Sequence, residues 1–220
     1  MSDRDGKTVL VFGMTGSGKT VYVQRKIKDA PRLLIFDPKR SYRKVASQLK
    51  LYVARDLADC VETLKDNRDS NFRIVFEPNY RMEEEQLSDL SHLLMQMQEG
   101  YLDGKNNRKV CLVAEELHRG NPNPPSASLP GFGEAVMMGR ESGIDIIGVS
   151  QRPQNISTDV RDNVSVLVCF EVAGGRAAAG AAYCADSSKE VEQAIAGLQD
   201  FKHLVFQNKT FEIRPPLPLT

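Results

Sequence analysis

The chain has 220 residues, 41% of them hydrophobic and 26% charged, with 29 basic residues against 29 acidic ones. That length suits one sizeable core, and the composition is that of an ordinary globular protein. Zero net charge excludes a surface that is basic as a whole, so any contact with nucleic acid is local, made by a patch or a ring lumen.

The opening MSDRDGK has no apolar signal region, and the longest apolar run, VSVLVCF, falls far short of the roughly 20 residues that a bilayer span needs. A soluble, non-secreted protein with no integral membrane span is expected. In chain order, TVLVF (8–12) predicts a strand and the segment 18–28 a helix; RLLIF (32–36) and LYVA (51–54) predict strands, 56–65 a helix, and FRIVF (72–76) a strand. A helix over 81–100 places Leu87, Leu90, Leu94 and Met97 on one face, with EEE (83–85) in its first turn, where the helix dipole favours negative charge.

KVCLVA (109–114) predicts the next strand. After it, RGNPNPPSASLPGFG (119–133) is too rich in proline and glycine for regular structure; it is either a functional loop at a strand's carboxyl end or a surface excursion. A helix over 132–142, strands DIIGVS (145–150) and VSVLVCFEV (164–172) and a helix over 187–198 follow. HLVFQNKTFEI reads as a hairpin turning at Asn208 and Lys209, and 214–220 as an extended, proline-rich tail. Most of the strands are apolar on both alternations, as in a parallel sheet covered on both faces. The expected fold is therefore a single α/β domain over 1–220, with a core of about 7–213, a mostly parallel central sheet flanked by helices, and a short C-terminal β-hairpin. No repeat and no interdomain linker interrupts it. Cys60, Cys111, Cys169 and Cys184 are widely spaced and lack C-x-x-C spacing, which suits reduced core thiols.

The segment GMTGSGKT (13–20) fits G-x-x-x-x-G-K-[ST] and stands between a strand and a helix. In such a P-loop the glycines Gly13, Gly16 and Gly18, with Thr15 and Ser17 between them, let backbone N–H groups curl around phosphate oxygens. Lys19 neutralises the β and γ charges, and the Thr20 hydroxyl ligates Mg²⁺. The expected cofactors are ATP and Mg²⁺. The metal also needs an acidic partner at the end of a neighbouring strand, and VCLVAEE offers Glu115 to hold Mg²⁺, through water, and Glu116 to polarise the attacking water. A solvated strand end is the plain alternative, but two adjacent carboxylates at a buried edge are costly without a use. The second glutamate favours hydrolysis over transfer to a small acceptor. In DPKRSYRK (37–44), Lys39, Arg40, Arg43 and Lys44 flank Tyr42 and are read either as a contact to DNA backbone phosphates or as a solvated helix face.

GRESGIDIIGVSQRPQNISTDVRDNVSVLVCF, with an arginine, a short turn, a strand and the glutamine of SQRP, resembles the FtsK/HerA superfamily of ring-forming ATPases that move DNA or protein; LLIFDPKRSY is similar to a D-P-K segment of HerA-like members. The resemblance runs from Thr8 to about Phe170. It departs at Glu115, where these families usually carry aspartate, and the chain lacks the FtsK membrane anchor and winged helix and the HerA barrel. The stand-alone core looks like the genome-packaging ATPases of membrane-containing icosahedral viruses.

That resemblance implies a RecA/FtsK-like P-loop NTPase domain acting as a motor on double-stranded DNA, packaging a genome into a preformed capsid. It implies self-assembly as a pentameric or hexameric ring, a capsid vertex or membrane protein as a further partner, and a place in the cytoplasm of an infected host cell or in the virion. Gln151 would sense the γ-phosphate. Arg140 ends a helix just before the strand bearing Gln151 and is expected near the sheet's ligand edge; in the resembling family that position faces a neighbour's nucleotide as an arginine finger. Rival readings are a Zot-type filamentous-phage assembly ATPase, which usually carries a transmembrane segment, and a nucleotide kinase or non-motor switch.

Overall fold

A computed structural model of the chain describes residues 5–129, 131–185 and 188–218; the expected helix start at 187 and the tail's end at 219–220 lie outside the described residues. The strands are β1 (Thr8–Phe12), β2 (Arg32–Phe36), β3 (Tyr52–Val53), β4 (Phe72–Phe76), β5 (Val110–Ala114), β6 (Ile144–Ser150), β7 (Val166–Cys169), β8 (His203–Gln207) and β9 (Thr210–Arg214). They form one sheet in the order β3-β4-β2-β5-β6-β1-β7-β8-β9. Pairings from β3 through β7 are parallel, and β8 and β9 close the far edge antiparallel. The hairpin turns at Asn208 and Lys209, both at positive φ (54° and 63°), as a two-residue turn requires.

The helices are α1 (Lys19–Ile27), α2 (Leu57–Asp66), α3 (Glu83–Met97), α4 (Glu99–Leu102), α5 (Leu117–Gly120), α6 (Gly131–Met138), α7 (Thr158–Asp162), α8 (Gly175–Tyr183) and α9 (Lys189–Ala196). Alternate strand residues serve two separate cores. Leu10, Phe12, Leu34, Phe36, Leu112 and Ala114 pack with side chains of α2, α3, α6, α7, α8 and α9. Val11, Leu33, Ile35, Val113 and Val149 meet Tyr22, Val23 and Ile27 of α1 together with Tyr42. The apolar alternation on both sides is thus real, but the coverage is unequal: Val9, Cys111 and Val166 on the α1 side are only partly buried.

One difference from the sequence reading follows from buried polar groups. The helix expected over 81–100 breaks at Gln98, a buried residue whose amide donates to the carbonyls of Arg108 (2.9 Å) and Ser142 (3.0 Å) and accepts from the Arg32 guanidinium (2.9 Å). Arg32 is itself buried and also donates to the carbonyls of Arg108 and Arg68. The EEE run lies in the first turn of α3, as expected, and ties down the proline-rich segment: Glu83 pairs with Arg119, and Glu84 accepts from the Ser126 N–H at 2.6 Å. Helix α8 was not anticipated, although GRAAAGAAY is rich in the strongest helix former. The four cysteines are free, and burial pushes the Cys60, Cys111 and Cys184 thiols up to about 12.

Helix α6 stops at Met138 and not at 142 because the chain reverses there: the Ile144 N–H returns to the Gly139 carbonyl (2.8 Å) and Gly143 adopts φ 67°. A β-carbon at Gly143 would lie 2.4 Å from the Tyr101 ring. Gly143→Ala should therefore combine left-handed strain with overlap and cost about 2–3 kcal/mol, read as a lower urea midpoint with an unchanged slope.

Candidate active site

Strands β1, β6, β5 and β2 are consecutive neighbours running the same way, so their carboxyl ends share one edge. Phe12 stands opposite Ser150, Gly148 opposite Ala114, and Ala114 opposite Phe36. Four connections leave that edge side by side: 13–18 after β1, Gln151 after β6, Glu115 and Glu116 after β5, and Asp37 to Lys39 after β2. The acidic pair was expected on a strand adjoining β1; β6 intervenes, and its tip places Gln151 between the loop and the acids.

The 13–18 loop has the backbone that its glycines allow. Gly16 and Gly18 sit at φ 80° and 109°, and a β-carbon at Gly13 would lie 2.5 Å from Ser17 Oγ. Gly18 is the N-cap of α1 and supplies no side-chain acceptor, so the helix's first N–H groups face the loop. Ser17 Oγ is buried without a hydrogen-bond partner among the described residues, and Lys19 Nζ donates inward to the carbonyls of Gly13 and Met14, both at 2.8 Å. A turn of N–H groups at a helix start, with a buried ammonium and an unpaired hydroxyl, fits a phosphate chain.

Glu115 and Glu116 are both buried, at 7% and 6% exposure. They differ in environment. Glu115 accepts from the Tyr42 hydroxyl (3.0 Å); burial pushes its carboxyl up from 4.5 to about 7, the Tyr42 bond opposes this, and the nearby Asp37 and Glu116 charges add to it. Glu116 sits at φ 49° and ψ 42°, a left-handed conformation that costs a non-glycine residue roughly 1–2 kcal/mol. Burial works against its ionisation too, but hydrogen bonds from Lys39 and Gln151 outweigh that and hold its carboxyl below the ordinary range. Gln151 Nε2 donates to Glu116 Oε1 at 2.8 Å, and Gln151 Oε1 accepts from Thr15 Oγ1 at 2.8 Å. One amide thus connects the phosphate loop to the second glutamate.

The acidic edge suits a divalent ion carried with a nucleotide. Asp37 and Glu116 each lie within electrostatic range of Glu115, Asp37 Oδ1 is buried and unpaired among the described residues, and Thr20 is exposed. Among those residues no group of three or more His, Cys, Asp or Glu is arranged to hold a metal ion by itself.

One expectation about position, that of Arg140, is corrected, and three of the 37–44 cations prove to be paired with acids while their side chains stay largely exposed. Lys39 Nζ lies 2.5 Å from Glu116 Oε1, Arg43 forks onto Glu77 (2.5 and 2.6 Å), Arg40 reaches Glu77 at 3.4 Å, and Tyr42 is fully buried; Lys44 is exposed. The reason is the turn after β2, where the Tyr42 N–H donates to Asp37 Oδ2 (2.8 Å) and folds the basic run back onto the sheet edge. Arg140 lies at the amino end of β6, not at the ligand edge; its carbonyl accepts from the Gly6 N–H (2.7 Å) and its guanidinium pairs with Asp5 (3.3 Å). At about 3.3 Å per residue, the seven residues of β6 separate it from its own Lys19 by roughly 20 Å.

Sequence reasoning gave Lys39 another role and missed His118. Lys39 stands in D-P-K directly after a strand, a position that belongs to the ligand edge once the sheet is parallel. His118, with Nδ1 3.0 Å from Ser150 Oγ and 3.7 Å from Glu116 Oε2, carries no local signal.

The sequence matches no protein-family model and no curated protein. Its fold occurs among solved structures. The DNA-packaging ATPase B204 of Sulfolobus turreted icosahedral virus superposes with a TM-score of 0.73 at 17% identity, covering 99% of this chain and 100% of that one. The genome packaging NTPase B204 of Sulfolobus turreted icosahedral virus 2, in complex with AMPPCP, gives 0.70 at 18%, covering 98% and 100%. VirB4 of Thermoanaerobacter pseudethanolicus gives 0.66 at 9%, covering 100% and 91%. At these identities the likeness is one of fold, and the fold is the single-domain, mostly parallel α/β fold of those ATPases. Among the described residues no helix is long and apolar enough to cross a membrane.

The raised Glu115 carboxyl has a measurable consequence. Because its folded value exceeds the ordinary one, its contribution to stability is full below 4.5 and is lost as the pH rises through about 7. In chelator-treated, nucleotide-free protein, Glu115→Gln should gain on the parent by up to roughly 2–3 kcal/mol between about pH 5 and 8. A stability difference that stays constant across that window would mean that Glu115 is not the buried titrating acid.

Proposed function

We propose that this chain is a Mg²⁺-dependent ATPase that moves double-stranded DNA, and that the process it drives is packaging of a viral genome into a preformed capsid. The observation that carries the ATPase is the hydrogen-bonded line Thr15–Gln151–Glu116, which couples the loop that fits phosphates to a carboxylate placed to take a proton. DNA handling is supported by the likeness to structures described as a DNA-packaging ATPase and a genome packaging NTPase, each matched over its whole length.

In this reading the 13–18 backbone and Lys19 hold the phosphates, with Lys19 exchanging the Gly13 and Met14 carbonyls for phosphate oxygens. Thr20 and Glu115 would hold Mg²⁺, which neutralises phosphate charge when bound. Glu116 takes a proton from the attacking water, and Gln151, fixed at both ends of its amide, orients that water and senses the terminal phosphate. Arg140, far from its own loop, acts on a neighbour's site in a homo-oligomeric ring of five or six subunits. A capsid vertex or membrane protein would anchor the ring, in the cytoplasm of an infected cell or on the virion.

Lys19→Ala should abolish nucleotide binding or turnover. Glu116→Gln should keep binding and lose about 10²–10⁴-fold in turnover; unchanged turnover would move the base elsewhere. Double-stranded DNA should stimulate hydrolysis regardless of sequence, and less so as salt rises. An enzyme indifferent to DNA would leave an ATPase with another cargo.

The ring is tested separately by mixing Arg140→Ala with Lys19→Ala subunits, each inactive alone. Partial recovery is expected, because some interfaces then join an intact loop to an intact arginine. A fully active monomer would defeat the assembly.

A further inference from the structure

The Lys39–Glu116 pair bears directly on the chemistry. A carboxylate whose oxygen lies 2.5 Å from an ammonium has that oxygen's lone pair engaged and is a poor base while the contact lasts. The two ends of the contact are held very differently. Glu116 is fixed without Lys39: its backbone is set by the turn into α5, and Gln151 holds the same oxygen. Lys39 leaves a firmly built turn, with Asp37 fully buried and bonded to the Tyr42 N–H, yet its side chain is 44% exposed on a flexible stem. The carboxylate therefore stays in place while the ammonium is free to swing. Lys19 lies within electrostatic range of Lys39, Glu115 and Glu116, so an anion that reaches Lys19 enters the field of Lys39 as well.

We propose that Lys39 makes the base conditional on a terminal phosphate: its ammonium pairs with Glu116 until a phosphate oxygen competes for it, and it thereby discriminates nucleoside triphosphates from diphosphates. This rests on the reading of Glu116 as the base, but the discrimination does not. A triphosphate offers the ammonium a more highly charged partner than a carboxylate, and a diphosphate seated in the same loop ends short of it. Transfer of the ammonium frees the Glu116 oxygen at the moment when hydrolysis has a substrate. Restoration of the pair after phosphate loss quenches the base again.

The test measures equilibrium binding of ADP and of a methylene-bridged ATP analogue, with Mg²⁺, to the parent, Lys39→Met and Lys39→Arg, each checked for an unchanged thermal midpoint. Lys39→Met should bind the triphosphate analogue at least about tenfold more weakly and ADP within about twofold of the parent, and Lys39→Arg should restore the discrimination in large part. Equal weakening of both nucleotides, or of neither, would overturn the proposal. Glu116→Gln separates the two readings. If it loses turnover while Lys39→Met weakens both nucleotides equally or neither, the base stands and the Lys39 assignment falls. If it keeps turnover while Lys39→Met selectively weakens the triphosphate analogue, Lys39 still reads the terminal phosphate and the base lies elsewhere.

Discussion

Three carboxylates, Asp37, Glu115 and Glu116, are forced together where four adjacent parallel strands end, and the rest of this edge is organised around the cost of that convergence. Carboxylates buried side by side are stable only when protonated, hydrogen-bonded or paired with cations, and the fold uses all three remedies. Burial raises the Glu115 carboxyl to about 7, with the Tyr42 hydroxyl on one oxygen; Asp37 spends an oxygen on the backbone of its own turn; Glu116 receives Gln151 and Lys39. Removing the convergence would leave Tyr42, Gln151 and Lys39 without a reason to point where they do.

What the sequence discloses about this edge depends on how far apart its members lie along the chain. The phosphate loop is legible because its parts are consecutive: glycines, lysine and threonine within eight residues, between an apolar run and a helix. The strands were legible too, since alternation and β-branching are local properties. The order of the strands is not written in any one of them. That β6 lies between β1 and β5 decides that Gln151 reaches both Thr15 and Glu116, and that β2 adjoins β5 decides that a lysine 77 positions away from Glu116 touches it. Of the basic run that reads along the chain as a patch for an external polyanion, Lys39, Arg40 and Arg43 also pair with the protein's own acids.

The acidic start of α3 teaches the same lesson in reverse. Its position in the first turn follows from the helix dipole and was readable. Its use was not, because Glu83 and Glu84 reach across to Arg119 and the Ser126 N–H in a segment whose prolines promise no structure. The proline-rich stretch is therefore anchored at both ends, with the Gly131 N–H on Ser88 Oγ at its far side.

The opposite placement of Arg140 and the phosphate loop, at the two ends of β6, has a consequence for symmetry. A two-fold dimer could seat each arginine in the other's loop only through one contact running the whole length of β6, about 20 Å, whereas a head-to-tail contact needs only one end of each copy. If Arg140 completes a neighbour's site as proposed, head-to-tail contact is the more economical arrangement, each copy giving with one edge and receiving with the other. A head-to-tail series has a sense of rotation that a two-fold pair lacks, and an event at one interface is communicated to one neighbour and not to the other. Directionality of firing would thus be inherited from a seven-residue strand that keeps donor and acceptor apart.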